Sequence, residues 1–235
     1  MGLVNDAGSF GATLVRFGRG IYPRVTADQR PELKHPLELY DYEGCPFCRK
    51  VREVLCELDL DYIARPVAHG SARRKLLENL GGKIQVPYLV DPNTGTRMYE
   101  SDDIVAYLSA TYGNDHTWRL PIPGFLNDIN SGIASAVRLA RGTRCRAEGK
   151  RKKKVRPLTL YNMEGSPYCR KVREVLCELD LEYQVRNVPK GSPKREELEK
   201  RGGKVQVPYL VDPNTSQEMY ESEDIIAYLE AEYGS

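Results

Sequence analysis

The amino-acid sequence predicts an α/β protein in which two similar domains follow one another along the chain. Its length of 235 residues accommodates two domains of ordinary size. The segment 43–58 returns almost unchanged 121 positions later, and the segments 86–93 and 98–101 return at the same offset. Because the offset is constant, we expect the two copies to share one fold. Within each copy, strand patterns alternate with helical patterns, which predicts a sheet with helices on its faces.

The elements of the first copy follow from hydrophobic spacing and turn signals. Apolar residues recur at helical spacing after Pro46, and proline suits the first turn of a helix. Gly81 and Gly82 end a second helix, and the turn residues at 91–95 predict a hairpin. The expected elements are a strand at 37–40, a helix from Pro46, a strand at 61–67, a helix at 71–80, strands at 86–90 and 96–99, and a helix capped by Ser101. The second copy repeats this β-α-β-α-β-β-α order between residues 158 and 233.

The composition excludes several classes of protein. The formal net charge is +2, with 40% hydrophobic and 29% charged residues, as in a soluble globular protein without a general affinity for nucleic acid. No apolar stretch approaches the length of a membrane-spanning helix, and the first residues lack the pattern of a secretory signal. Most of the six cysteines fall within the repeated helix motif, which argues against a disulfide framework. We therefore expect a cytoplasmic protein, with an organelle such as the plastid left open.

The repeat also sets the expected domain boundaries. We predict a leader helix within 1–35, the first domain at 36–113, a second leader helix with a basic linker at 114–156, and the second domain at 157–235. The leader helices are expected because the segment 15–20 has a faint echo at 137–142. The Lys/Arg run at 150–154 has no interleaved aromatic residues, so we interpret it as a solvated linker and expect no nucleic-acid or membrane partner. Cys145, in the same linker, is expected to be an exposed thiol.

Two cysteines at the start of the first repeated helix carry the most specific chemistry. The spacing of Cys45 and Cys48 places both thiols on one face near the helix N-terminus. The partial positive charge and free N–H groups at that end favour a thiolate, and Arg49 and Lys50 add positive charge nearby. Cys45 is therefore the expected nucleophile, and Cys48, one turn deeper, can resolve a mixed disulfide. A zinc site is the alternative, but no second Cys or His pair has zinc spacing, so we expect no metal.

Three motifs in order along the chain carry a family resemblance: Cys-Pro-Phe-Cys at 45–48, Val-Pro at 86–87 and Glu-Ser at 100–101. Together they resemble the pattern of glutaredoxins and of the N-terminal domains of glutathione transferases. The tandem arrangement is similar to that of glutathione-transferase-N-like proteins of photosynthetic organisms and bacteria. The resemblance covers both repeats and implies a thioredoxin-like fold in each, with glutathione as co-substrate. The implied glutathione-binding residues are Lys83, Gln85, Val86, Pro87, Glu100 and Ser101.

The resemblance also implies a role for each of these positions. Pro87 would be a cis-proline facing the active-site cysteine, and Val86 would pair its backbone with the cysteinyl part of glutathione as an added strand does. The pair at 100–101 would hold the γ-glutamyl end at a helix N-terminus, and the polar residues at 83 and 85 the glycine carboxylate. Structural roles stay open for three of them: a proline that opens a strand, a serine that caps a helix, and a surface lysine.

The second repeat departs from the pattern at the position of the nucleophile. Ser166 stands where the first repeat has Cys45, and a hydroxyl is far less acidic than a thiol, so it cannot exchange disulfides. The other motif residues survive, and this second, degenerate site comprises Ser166, Cys169, Val207, Pro208, Glu221 and Ser222. We interpret it as a glutathione-sized pocket without a nucleophile, or as a structural partner. Cys56 and Cys177, further along their helices, are expected to pack in the core.

The function that these residues favour is a glutathione-dependent thiol-disulfide oxidoreductase that works through the first domain. Glutathione and thiol or disulfide proteins are the expected partners. One alternative is a module that binds glutathione or thiol proteins without turnover. Another is a glutathione transferase, although neither repeat is followed by the all-helical domain that completes such an enzyme. An iron–sulfur cluster shared between two Cys45 sites and glutathione is a further alternative.

Overall fold

The computed structural model describes residues 19–25, 32–113, 141–146 and 155–234, and both repeats have the element order expected from the sequence. The elements of the first repeat are β1 (Leu37–Asp41), α1 (Pro46–Glu57), β2 (Tyr62–Pro66), α2 (Arg73–Gly81), β3 (Tyr88–Asp91), β4 (Thr96–Met98) and α3 (Ser101–Tyr112). Those of the second are β5 (Leu158–Asn162), α4 (Pro167–Glu178), β6 (Tyr183–Asn187), α5 (Lys194–Gly202), β7 (Tyr209–Asp212), β8 (Gln217–Met219) and α6 (Ser222–Tyr233).

Local chemistry explains where the helices of the first repeat begin and end. Cys45 is the N-cap of α1, and Pro46 occupies the first helical position, where its missing N–H costs no hydrogen bond. α2 ends at Gly82, whose φ of 78° lies in the left-handed region that glycine adopts without strain. Gly81 is equally constrained, because a Cβ there would lie 2.0 Å from the hydroxyl oxygen of Tyr99.

One continuous sheet of eight strands joins the two repeats. The strand order is β4-β3-β1-β2-β6-β5-β7-β8, so each repeat contributes one half. β1 and β2 are parallel, as are β5 and β6, and the remaining pairs are antiparallel. The halves meet where β2 runs antiparallel to β6, with Ile63 opposite Gln184. The repeats therefore lie side by side, an arrangement that the sequence left open, and each covers an edge that the other would expose.

The core has two layers because successive residues of a strand point to opposite faces of the sheet. Leu39 and Leu89 belong to a large cluster that continues through both repeats and includes apolar residues of α1, α3, α4 and α6. Their neighbours Tyr40 and Tyr88 form a smaller cluster on the other face with Leu77 of α2. An equivalent cluster lies beneath α5 in the second repeat. The large shared layer makes the two repeats one hydrophobic unit.

The structure confirms the predicted fold class and corrects one expectation about the linker. Cys145 is buried, with 7% of its surface exposed, so the prediction of an exposed thiol is wrong. Its backbone N–H donates to the carbonyl oxygen of His69 over 2.7 Å, which draws this part of the linker onto the first repeat. The described parts of the leaders, 19–25 and 141–146, are turns and bends. The rest of the predicted leader helices, and the basic run at 150–154, lie outside the described residues.

Candidate functional site

The predicted nucleophile lies at the junction of β1 and α1. The backbone N–H of Cys45 donates to the carbonyl oxygen of Tyr42 over 3.1 Å, which closes the turn between strand and helix. The Cys45 Sγ atom in turn accepts from the backbone N–H of Cys48 over 3.3 Å, so a thiol takes the place of a serine or aspartate cap. A sulfur that accepts a helix N-terminal N–H is better stabilised as a thiolate than as a thiol.

The surroundings shift the pKa values of the two thiols of the motif in opposite directions. The hydrogen bond from the Cys48 side chain is the main cause that lowers the pKa of Cys45; burial opposes it, and the backbone N–H of Cys48 and the charge of Arg52 support it. Burial, together with that same hydrogen bond, raises the pKa of Cys48 well above its ordinary value. Because one thiol donates and the other accepts, deprotonation is favoured at Cys45 over Cys48.

Tyr42 lies beside this pair. Burial, with the negative charge and hydrogen bonding of Cys45, raises the pKa of Tyr42 to about 12. Its ring centroid is 6.1 Å from that of His69, in a tilted arrangement. Tyr42 thus stays a neutral hydrogen-bond donor across the physiological range, which suits a neighbour of a thiolate.

The predicted glutathione-binding residues lie on the loop before β3 and at the start of α3. The peptide bond between Val86 and Pro87 is cis, as expected from the resemblance. Gln85 Nε2 donates to Glu100 Oε1 over 2.6 Å, so these two side chains meet. Glu100 has a φ of 67°, in the left-handed region that a non-glycine residue adopts only when its surroundings hold it there.

The remaining two predicted residues also have defined surroundings. Ser101 is buried and is the first residue of α3, with Glu100 in the N-cap position that the sequence had assigned to Ser101. The Lys83 Nζ atom lies 4.5 Å from the centre of the Tyr99 ring, and the Tyr99 hydroxyl donates to the Lys83 carbonyl oxygen over 2.9 Å. Lys83 is thus held near the start of α3 by a cation–π contact, which leaves its ammonium hydrogens able to bind an anion.

The second repeat reproduces this geometry with a hydroxyl in place of the thiol. Ser166 Oγ accepts from the backbone N–H of Cys169 over 3.3 Å, the same length as in the first repeat. Burial raises the pKa of Cys169. The Val207–Pro208 bond is also cis, Gln206 Nε2 donates to Glu221 Oε1 over 2.7 Å, Glu221 has a φ of 63°, and Ser222 is buried at the start of α6.

A ring of buried charges behind the two motifs was not predicted from the sequence. Arg52 and Arg173, on α1 and α4, each pair with both Glu43 and Glu164, over 3.0 to 3.2 Å. All four side chains are at most 4% exposed. Burial raises the pKa of Glu43, but the guanidinium groups of Arg173 and Arg52 outweigh it and bring that pKa to about 2. We call these four residues the charge ring.

The charge ring has one asymmetric neighbour in each repeat. Arg52 donates to the Asp41 carboxylate over 2.6 Å, whereas Arg173 donates to the Asn162 side-chain oxygen over 2.6 Å. Asp41 is fully buried, and this desolvation outweighs the attraction of Arg52 and raises its pKa to about 6. The signal that could have revealed these residues is the exact return of Glu43 and Arg52 in the second copy. The apolar stripe of the helix that carries Arg52 seemed sufficient by itself to explain how that helix packs.

Cys56 and Cys177 are buried, as expected, and each has a defined partner. The Cys56 thiol donates to the carbonyl oxygen of Gly20 over 3.2 Å, and the Cys177 thiol to that of Gly142 over 3.1 Å. Burial raises the pKa of both thiols. These cysteines therefore fasten the segments 19–25 and 141–146 to the helices and have little nucleophilic character.

The fold of the two repeats together defines a protein of two tandem thioredoxin-like domains. The family described as "Glutathione S-transferase, N-terminal domain" matches this chain twice, at residues 39–116 and 160–235, and the chain belongs to that family.

The relatives cover the chain unequally. A "Glutathione S-transferase-like protein tpcF" of Aspergillus fumigatus is 33% identical over 79 residues, which are 34% of this chain and 35% of that protein. The chain thus matches about a third of that relative's length. A solved structure titled "Leishmania TDR1 - a unique trimeric glutathione transferase" aligns with 84% of this chain and 68% of its own, at 16% identity and a TM-score of 0.30.

Two further observations concern the described residues alone. Within 19–25, 32–113, 141–146 and 155–234, no group of three or more His, Cys, Asp or Glu side chains is arranged to hold a metal ion. None of the helices in these ranges is long and apolar enough to cross a membrane.

Proposed function

We propose that this protein is a glutathione-dependent thiol-disulfide oxidoreductase whose reactive group is Cys45. The observation that carries the proposal is the paired environment of the motif: the Cys45 sulfur accepts a helix N–H at the N-cap of α1, which favours its thiolate, and the Cys48 thiol one turn deeper is buried with a raised pKa. A transferase that activates only the glutathione thiol has no need of a second, deeper cysteine with raised pKa. Disulfide exchange uses both.

The reaction begins with attack of the Cys45 thiolate on one sulfur of a substrate disulfide. A new bond forms between Cys45 Sγ and that sulfur, the substrate S–S bond breaks, and the other substrate sulfur leaves as a thiolate that takes a proton from water. A glutathione thiolate then attacks the sulfur bonded to Cys45. This second exchange restores the Cys45 thiolate and releases a disulfide between glutathione and the bound half of the substrate.

Cys48 offers a second route for the same resolution. After losing its proton, its sulfur attacks Cys45 Sγ, expels the substrate sulfur and leaves a Cys45–Cys48 disulfide, which two molecules of glutathione reduce with release of glutathione disulfide. Because burial raises the pKa of Cys48, this route needs an acceptor for the Cys48 proton, whereas attack by glutathione does not. The proposed mechanism therefore tolerates loss of Cys48 but not loss of Cys45.

Glutathione is proposed to bind across the cis-proline loop and the start of α3. The backbone of Val86 would pair with the cysteinyl residue, and the buried N-terminus of α3 at Ser101 suits the γ-glutamyl carboxylate. Lys83, held over the Tyr99 ring, is placed on the same loop for the glycine carboxylate. Thiol or disulfide proteins are the proposed partners, and a reducing, glutathione-containing compartment such as the cytoplasm suits the chemistry.

A second candidate function applies to the second repeat, where Ser166 favours binding without turnover. Its oxygen accepts the N–H of Cys169, and its hydroxyl hydrogen, which bonds the Cys169 side chain, can turn to donate to a glutathione thiolate. This geometry stabilises a bound thiolate but provides no sulfur to attack a disulfide. We propose that the second site holds glutathione reversibly.

The test is a hydroxyethyl-disulfide reduction assay with glutathione on the wild type, Cys45→Ser and Cys48→Ser. Cys45→Ser should lower the turnover by about 1000-fold or more, since a hydroxyl is not a nucleophile at neutral pH. Cys48→Ser should keep a measurable fraction of the activity, because glutathione can resolve the mixed disulfide. Full activity in Cys45→Ser would contradict the proposal, and a wild type that binds glutathione without turnover would favour the binding function.

A further inference from the structure

The loop that carries Cys45 is held by residues from outside its own repeat. We call residues 42–45 the nucleophile loop; they connect β1 to α1. Three sets of contacts fix this loop, and two of them come from the second repeat or from the segment that leads into it.

The first contact is an ion pair with two parallel hydrogen bonds. Arg173 Nε and Nη2 donate to Glu43 Oε2 and Oε1 over 3.0 and 3.1 Å. Arg173 has no exposed surface, and Glu43 is 4% exposed. Asn162 and Glu164, also of the second repeat, hold the guanidinium from its other edges, over 2.6 and 3.1 Å. A bidentate pair of this kind fixes position and direction, not charge alone.

The second contact is a close backbone approach at Gly44. A Cβ at this position would lie 2.3 Å from Thr143 Oγ1 and 3.0 Å from the carbonyl oxygen of Arg141. The same segment pairs its Thr143 carbonyl oxygen with the backbone N–H of His69 over 2.9 Å. The linker before the second repeat therefore lies directly on the nucleophile loop, one residue from Cys45.

The third contact comes from beneath the loop. Arg52, on the same stripe of α1 as Cys45 and Cys48, donates to the carbonyl oxygens of Tyr42 and Glu43 over 3.5 and 3.3 Å. Its Nε atom pairs with Glu164 of the second repeat over 3.2 Å. Arg52 thus ties the loop to the charge ring, and its own orientation depends on the second repeat.

We propose that Arg173 is a positioning residue for Cys45, and that the repeat without a nucleophile completes the site of the repeat that has one. Arg173 fixes Glu43, and Glu43 fixes the nucleophile loop two residues before the reactive sulfur. Disulfide exchange requires the attacking sulfur to approach along the axis of the bond that breaks, so a small displacement of Cys45 lowers the rate. The expected effect on the reaction rate rests on the proposed function, whereas the positioning of Cys45 by Arg173 does not.

This role explains a contrast between the two repeats. All four charge-ring residues are identical at equivalent positions, whereas the N-cap residue is a cysteine in one repeat and a serine in the other. A second repeat that served only as a binding site could change its ring residues once its nucleophile was lost. A second repeat that positions Cys45 in the first has to keep them.

The experiment compares Arg173→Met with Lys194→Met. Both residues belong to the second repeat and pair with carboxylates of the first, but Lys194 contacts Asp59 over 2.9 Å, at the far end of α1 from Cys45. Three measurements are made on the full chain: urea unfolding, kcat and KM for disulfide reduction, and the pH profile of Cys45 alkylation by iodoacetamide, read by peptide mass spectrometry. The groups acting on Cys45 in that profile are Cys48, Arg52 and Tyr42.

Arg173→Met should lower kcat by about 10-fold or more with little change in KM, because the sulfur is misplaced but the glutathione loop is intact. The alkylation midpoint should rise by about half a pH unit or more, since the displaced sulfur accepts the Cys48 N–H less well and the Glu43 carboxylate loses the guanidinium that neutralises it. Lys194→Met should stay within about 3-fold of wild-type kcat with an unchanged midpoint, even where it unfolds at lower urea. Arg173→Lys, which keeps the charge but not the fork, should recover most of the midpoint and less of kcat.

A wild-type kcat and midpoint in folded Arg173→Met, or equal losses in Arg173→Met and Lys194→Met, would overturn the proposal. If Arg173→Met does not fold, Glu43→Gln replaces it: the amide accepts only one of the two hydrogen bonds of the guanidinium fork, so kcat should again fall by about 10-fold or more, whereas the alkylation midpoint should not rise, because no positive charge is removed. A wild-type kcat in folded Glu43→Gln would also overturn the proposal. Should the wild type show no disulfide reduction, the proposed function fails, while the alkylation profile still decides whether Arg173 positions Cys45.

Discussion

The charge ring, which lies behind the N-termini of α1 and α4, takes identical residues from the two repeats, whereas the N-cap residues of these two helices differ. The charge ring uses the same arginine and the same glutamate from each repeat, in nearly equal geometry. At the helix N-termini, Cys45 of the first repeat corresponds to Ser166 of the second, and next to the charge ring Asp41 corresponds to Asn162. Both differences remove an ionisable group from the second repeat. The two repeats therefore contribute the same charge-ring residues to the junction, but at these two neighbouring positions only the first repeat has an ionisable side chain.

This pattern separates the residues that support the structure, which the two repeats share, from the ionisable residues that only the first repeat has at the equivalent positions. The shared sheet, the apolar layer and the charge ring hold a rigid frame, for which the two halves contribute equally. Of the two halves, the first has the full Cys45–Cys48 pair and the buried Asp41 carboxyl, which lie at the first turn of α1 and the end of β1. If the frame is equivalent on both sides, a nucleophile can be moved from one side to the other.

The largest effect is expected from that transfer. Cys45→Ser should be inactive in disulfide reduction, and adding Ser166→Cys should restore on the order of 1 to 10% of the wild-type rate, because the new thiol accepts the same helix N–H and has Cys169 beneath it. The measurement is the turnover with hydroxyethyl disulfide and glutathione. A folded double variant as inactive as Cys45→Ser would show that the two frames are not equivalent.

A smaller effect is expected from substitutions at the second position where the repeats differ, which is Asp41 in the first repeat and Asn162 in the second. The pKa of Asp41 is about 6 in the folded protein against an ordinary value of 3.8, because burial outweighs Arg52. Between these values the folded protein binds more protons than the unfolded chain, so stability falls as the pH rises from about 4 to 6 and stays low above that. Asp41→Asn removes this loss, and we expect the free energy of unfolding to rise by about 1 to 3 kcal/mol at pH 8.

The gain should shrink as the pH falls toward 5, and urea unfolding across this range measures it. Asn162→Asp is the matched control in the other repeat: it should be destabilising at pH 8, since it places a carboxyl at the equivalent buried position beside Arg173. Lower stability of Asp41→Asn at pH 8 would mean that the ion pair with Arg52 contributes more than its burial costs.

Local patterns made the repeats and their elements predictable. The offset of 121 residues, the helical stripe after Pro46 and the turn at 91–95 each act over a few neighbouring residues, and the structure has the corresponding elements. The cis bond before Pro87 was predicted by resemblance, not by pattern. The glutathione-binding roles of the site residues stay predictions, since they concern contacts with a ligand.

The junction between the repeats was not predictable from local pattern. Nothing in the β2 sequence specifies that its edge pairs with β6, because any exposed strand edge presents the same backbone groups. Arg52 and Arg173 lie among charged residues that a helical pattern assigns to solvent, but each is buried and pairs with a glutamate of the other repeat. Cys145 was misjudged for the same reason: a basic, irregular segment gives no local sign that a distant loop will cover it.

The smallest effect concerns the outer faces of α2 and α5, where the repeats also differ. Leu76 of α2 is 44% exposed, and its equivalent on α5 is Glu197, whose carboxylate accepts the Tyr161 hydroxyl over 2.9 Å. Leu76→Glu should change the free energy of unfolding by less than about 0.5 kcal/mol, because a half-exposed leucine contributes little to the core. Glu197→Leu should cost slightly more, about 0.5 to 1.5 kcal/mol, since the Tyr161 hydroxyl loses its acceptor.

The free energies of unfolding of the two variants are measured side by side in urea. The two substitutions are at equivalent positions of the repeats, and one replaces leucine by glutamate while the other replaces glutamate by leucine. A loss above about 2 kcal/mol in Leu76→Glu exceeds what an exposed substitution produces and would mean that this face of α2 is covered in the folded protein. Equal, negligible effects in both variants would mean that the Tyr161 hydrogen bond adds nothing to stability. The expected order, with the larger loss in Glu197→Leu, would show that the second repeat replaced apolar surface with a polar contact of its own.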